Sequence, residues 1–246
     1  MALSLTVDAF CRLVKLHANL LYADLQDGIS TGSNLLTAVE VLVSGPFDKQ
    51  ALLDSGIFCC LVQILNALLS LDEANQKPKI TDSEESLPAE KDSVADGQAC
   101  RLEVEGSIVH IMKALAGHPS AAQSLIEDDS LMLLFQTVAN GSLTAFSRYK
   151  EGFVSVHVIQ LHRHAMQILG LLLVNDNGGT AQYIHKHQLI RVLLIAVKDF
   201  NPDCGDPAYT VGIVDLLLEC VELSYRPEAG DLSLREDIHN AHGYHF

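Results

Sequence analysis

The stretch Leu53-Asp54-Ser55-Gly56-Ile57-Phe58-Cys59-Cys60-Leu61-Val62 joins the end of one helix to the start of another. Residues 47 to 55 have the composition of a short helix, and Ile57 to Leu71 form a longer, strongly apolar one. Gly56 stands between them, where a chain leaving a helix turns through a left-handed residue that glycine adopts without steric cost.

The same short-corner-long pair returns at Ser120 to Asp129 followed by Leu131 to Val138, and at Thr180 to His187 followed by Leu189 to Val197. A fourth begins at Leu234-Arg235-Glu236-Asp237-Ile238-His239. Each pair is preceded by a further long helix, at Leu35 to Val43, Val104 to Ala116, Val158 to Val174 and Ala208 to Leu223. A three-helix unit repeated along one chain predicts an all-α fold, a right-handed α-solenoid of armadillo-like repeats spanning 1–246 as a single domain.

Unit starts at Phe47, Pro119, Gly178 and Ser233 are 72, 59 and 55 residues apart, above the roughly 40 to 47 of armadillo or HEAT units. The excess is expected in insertions between the second and third helices, at 72–100 and 140–157. The first contains Asp82, Glu84, Glu85, Glu90 and two prolines and is expected to be disordered and acidic. Towards the N-terminus, Phe10, Leu13, Val14, Leu20, Leu21 and Leu25 mark an amphipathic opening helix. Gly45-Pro46 ends the helix after it, because proline supplies no amide hydrogen.

The charge of −15 disfavours direct nucleic-acid binding, which needs clustered positive charge. The six cysteines are scattered, and Cys59, Cys60 and Cys220 lie within apolar helical patterns, which suits reduced thiols in a cytoplasmic protein. No apolar run is long enough to cross a bilayer, and the first residues do not resemble a signal peptide.

Few residues suggest chemistry. Gly28-Ile29-Ser30-Thr31-Gly32 has the form of a nucleophile elbow, but a helix enters it where a strand is required. A serine hydrolase using Ser30 is therefore a remote alternative, and Ser33 is expected to cap the next helix. His162 and His164, near His157, and the pair His185 and His187 could suggest a metal, yet residues two apart on a helix point about 200° apart. Glu103, Glu105, Asp128 and Asp129 are expected at helix ends, interacting with helix dipoles. Asn140-Gly141-Ser142 reads as a turn after a helix ending at Ala139. No catalytic, cofactor-binding or metal-binding residue is assigned; the chain is expected to be non-enzymatic and to need no cofactor.

Leu53 to Val62 is similar to the corner of armadillo repeats, and Arg235-Glu236-Asp237-Ile238-His239-Asn240-Ala241-His242-Gly243-Tyr244 resembles a segment in the long armadillo-like region of BEACH-domain proteins. Within these it looks most like the plant type related to the animal autophagy-linked FYVE proteins. The resemblance implies a segment of a very large cytoplasmic scaffold acting in vesicle trafficking, membrane dynamics or autophagy, peripheral to endosomal or autophagic membranes. In that family the helical region precedes lectin-like, PH, BEACH and WD40 modules. The implied partners are other proteins or neighbouring modules of the same long chain, with membrane association only indirect. A free-standing armadillo adaptor unrelated to BEACH proteins is the alternative.

Overall fold

The computed structural model describes residues 40, 43–45, 49–75, 91–141, 156–176, 179–198, 206–227 and 234–242. They hold α1 (Lys49–Asp54), α2 (Ile57–Asn75), α3 (Lys91–Ala116), α4 (Ala121–Ile126), α5 (Ser130–Asn140), α6 (Val156–Asn175), α7 (Ala181–Lys186), α8 (Leu189–Lys198), α9 (Pro207–Leu223) and α10 (Leu234–His242). No strand occurs among the described residues, so the all-α reading stands.

The long helices pack in two rows. In one, α5 lies between α2 and α8; in the other, α6 lies between α3 and α9. The rows face each other through α2 against α3, α5 against α6 and α8 against α9. Apolar residues of each helix fill the space between rows, including Ile57, Leu61 and Leu65 of α2, Ile108, Met112 and Leu115 of α3, and Ile168 and Leu172 of α6. Each such side chain contributes about 1.5 to 3 kcal/mol when fully buried. The interior is therefore one continuous apolar seam, to which every long helix adds a stripe.

The corner before each first-row helix repeats. Gly56 (φ 72°), Asp129 (φ 55°) and Gln188 (φ 52°) are left-handed and immediately precede α2, α5 and α8. At each, the backbone amide of the corner residue closes onto the carbonyl three residues back, at Leu53, Ile126 and His185. Gly56 occupies the expected corner, and the equivalent turns are made without glycine, at a conformational cost of about 1 kcal/mol each.

The last turn of α5 has a different structure from the expected turn. The helix runs through Asn140, and Gly141 is still right-handed, so Gly141 is needed for space and not for a left-handed conformation. A Cβ on Gly141 would lie 2.4 Å from the Tyr209 Oη and 3.0 Å from the His162 Cβ. Tyr209 is buried and donates its hydroxyl to the Val138 carbonyl at 2.8 Å. The His162 Nδ1 lies 3.0 Å from the Thr137 carbonyl. The Val138 carbonyl at the end of α5 is thus met from α9, and the Thr137 carbonyl, which already accepts the Gly141 amide, gains a second donor from α6.

Two boundaries are corrected. The expected insertion at 72–100 is helical at both ends, because α2 continues to Asn75 and α3 begins at Lys91. Once a buried segment has nucleated a helix, propagation through polar residues costs little, so polarity does not mark where it stops. Residues 76–90 and 142–155, within which the rest of both expected insertions falls, lie outside the described residues, as do the opening helix at Phe10 to Leu25, the Ser30 loop and Ser33.

Two substitutions test these features in thermal or urea melts. Gly141→Ala is expected to destabilise the chain by about 1 to 3 kcal/mol through overpacking against Tyr209. Gln188→Gly is expected to leave stability unchanged or raise it by up to about 1 kcal/mol, relieving the left-handed strain against the added chain entropy.

Candidate functional site

The second row is not uniformly closed. Between α6 and α9, Arg163 reaches Asp206 at 2.6 Å, and Asp206 also caps α9 by accepting the Ala208 amide at 3.0 Å. Met166 lies directly over Gly212 in the same seam. Between α3 and α6 lies a groove of about 330 Å³, lined among others by Leu102, Glu105, Val109, Lys113, His157 and His164.

Glu105 sits in this seam, 2% exposed, with its carboxylate against the His157 Nε2. It is therefore within a helix and buried, contrary to the expectation that it lies at a helix end. The sequence carries a signal that identifies it: Glu105 falls on the same helical face as Ile108, Val109 and Met112, where a carboxylate requires a partner. The partner belongs to a different unit, so spacing within α3 does not reveal it.

About two turns further along α3, the Lys113 Nζ lies 3.1 Å from the His164 Nδ1. Burial holds the Lys113 pKa below its ordinary value. His164 is also lowered, first by burial, against the raising effect of the Gln167 Oε1 accepting from its ring, and then by the Lys113 charge. A neutral imidazole accepts a hydrogen bond from the ammonium, which is the arrangement these shifts favour. Glu40 closes the neighbouring edge, accepting from the Ser107 hydroxyl at 3.3 Å with the His110 Nε2 at 3.9 Å.

A second cleft of about 450 Å³ lies between α8 and α10, bordered by His185, Arg191, Asp237 and Asn240. The His185 Nδ1 is 2.8 Å from Asp237. Asp237, Asn240 and Ala241 of α10, within the segment that carried the family resemblance, therefore form one wall of this cleft.

The histidines serve separate purposes. His162 faces the core, His164 the groove, His185 an acid of α10, and His187 stacks on Tyr183 with ring centroids 4.2 Å apart. No group of three His, Cys, Asp or Glu converges on a metal-sized site among the described residues. Cys59 is buried, donates to the Ser124 carbonyl at 3.2 Å, and has its pKa raised to about 11 by burial and then by Asp128. Cys220 is pushed up to about 12, mainly by burial. Both thiols remain protonated at neutral pH and are poor nucleophiles. No described helix is long and apolar enough to cross a membrane.

Comparison with curated proteins places the whole chain within longer ones. It is 61% identical to Protein SPIRRIG of Arabidopsis thaliana across its entire length. It is 57% identical, again throughout, to BEACH domain-containing protein A2 of the same plant. The chain is homologous to a segment of BEACH proteins. It spans 8% of the length of each of these two relatives. No family model matches the chain, and no solved structure matches it. The α3–α6 groove brings a buried carboxylate, a lysine and three histidines together.

The core histidine yields a pH prediction. Burial lowers the His162 pKa from 6.5 to about 4, partly offset by its hydrogen bond to Thr137. Between these values the unfolded chain binds the extra proton, so stability is full above about pH 6.5 and falls as pH drops towards about 4. The loss is on the order of 3 kcal/mol. Urea melts at pH 7.0 and pH 4.5 are expected to show it, with a clearly smaller pH dependence in His162→Gln.

Proposed function

We propose that this chain is part of the armadillo-like helical-repeat region of a BEACH-type scaffold and acts by holding other proteins or neighbouring modules of its own long chain, without making or breaking a bond. The observation that carries the reading is an overall identity above one half to two BEACH proteins, in matches that cover the whole chain. The repeated left-handed corners at Gly56, Asp129 and Gln188 support the repeat reading. Two rows of helices present surface made of many units, which suits the recognition of extended partners.

In this reading the segment works in the cytoplasm, in vesicle trafficking, membrane dynamics or autophagy, and reaches endosomal or autophagic membranes only through other modules. Its stability and its function are then separable: core residues keep the rows together, while exposed residues on either row select the partner.

Lysine cross-linking and mass spectrometry of the intact long protein in cell extract test this. Lys186 and Lys198 are exposed and lie away from the α3–α6 groove. Their expected cross-links join them to other modules or other proteins. Cross-links confined to the segment itself would overturn the reading.

A further inference from the structure

Among the described residues, the second row stops at an apolar side of α9. Val211, Val214 and Leu218 are 59%, 40% and 58% exposed and lie three and four residues apart, on one stripe of the helix. Gly212 and Leu216 face α6, where Met166 lies over the one and Gly170 beside the other. Val214 and Leu218 follow these by two residues, about 200° around the helix, so the stripe points away from α6. α9 packs on α6, α8 and α10, and none of them covers the stripe. Exposed Asp215 and Glu222 flank it along one edge. A single exposed leucine is ordinary, whereas a row of apolar side chains along one side of a helix is the pattern of a surface that packs on a neighbour.

The rest of the row shows what belongs there. Each earlier second-row helix is covered on this side by the next: α6 lies against α3, and α9 lies against α6. The covered side of α6 carries Met166 and Gly170, opposite the His157 and His164 that meet α3. A further unit has also begun, since α10 stacks on α7 as α4 stacks on α1. The two relatives have chain enough for more units, because this chain spans 8% of each. A second copy of the chain is a poorer occupant: three side chains fall well short of the ~800 Å² that each partner of a stable pair buries, whereas a helix tethered in the same polypeptide is held at high effective concentration.

We propose that Val211, Val214 and Leu218 form the docking face for the next second-row helix, an amphipathic segment that follows Phe246 in the same polypeptide. The inference rests on the repeat reading above and names the neighbour that this one surface holds. Spacing places the segment: second-row helices start at Lys91, Val156 and Pro207, 65 and 51 residues apart, so the same spacing starts the next within about 30 residues after Phe246. Its apolar side covers the stripe on α9 as α9 covers Met166 and Gly170 of α6.

The test compares the intact long protein with the chain of residues 1 to 246 by hydroxyl-radical footprinting, read at single residues by mass spectrometry. In the shorter chain Leu218 is expected to be oxidised freely. In the long protein it is expected to lose reactivity to the level of Leu217, which is 7% exposed. Photo-leucine incorporated into the long protein then identifies the occupant: the Leu218 peptide is expected to cross-link to the stretch that follows Phe246. Isotope-mixed protein separates links within one polypeptide from links between two. Equal oxidation of Leu218 in both proteins, or cross-links from Leu218 to a distant module, another protein or a second copy, would overturn the assignment. Any of these together with cross-links from Lys186 and Lys198 to other modules would reject the docking face and leave the scaffold reading standing.

Discussion

The end of α5 is the point on which the packing of the later units depends. A helix cannot satisfy its last carbonyls, and burying them without partners would cost about 1 to 3 kcal/mol each. Here α9 supplies the donor for Val138 through the Tyr209 hydroxyl, and α6 adds the His162 imidazole to the Thr137 carbonyl, which also accepts the Gly141 amide. Both donors are buried, so they act where water does not compete. Gly141 lets Tyr209 approach closely enough to reach. One polar node thereby fixes the relative positions of three helices that apolar contact alone would allow to slide.

Around that node the rest is repetition with variation. The left-handed corner before α2, α5 and α8 aims each first-row helix in the same way relative to the short helix before it. The side chains that complete the corners differ: the Tyr183 hydroxyl donates to Asp129 at 2.7 Å. Buried Asp176 likewise holds Thr180 through both its hydroxyl and its amide, at 2.9 and 3.2 Å, where the chain leaves α6 for α7. Such variation distinguishes the units, because identical units would present identical surfaces. The clearest variation lies between second-row helices: Arg163 and Met166 bridge α6 and α9, and the Glu105–His157 and Lys113–His164 contacts bridge α3 and α6 beside a groove.

Much of the helix pattern was legible in the sequence. Apolar spacing located α5, α6, α8 and α9 to within a few residues, because a buried stripe at helical period is a local property of the chain. The polar ends of α2 and α3 were not legible, since nothing in composition separates a solvated helical turn from a loop. The cysteine reading was legible for a similar reason: Cys59 and Cys220 lie on apolar stripes and are buried. Glu105 was misplaced because its charge suggested a surface position, whereas its place on the stripe was the better guide.

The sequence by itself determined the helices, the corner at Gly56 and the homology to BEACH proteins, all of which depend on residues near one another in the chain or on their order along it. Only the tertiary structure decided that Glu105 meets His157, that Lys113 meets His164, and that Gly141 exists to admit Tyr209. These partners lie at least 51 residues apart, at separations with no period to read. Their meeting is set by how the rows of helices stack, and stacking is a property of surfaces formed only after each helix exists.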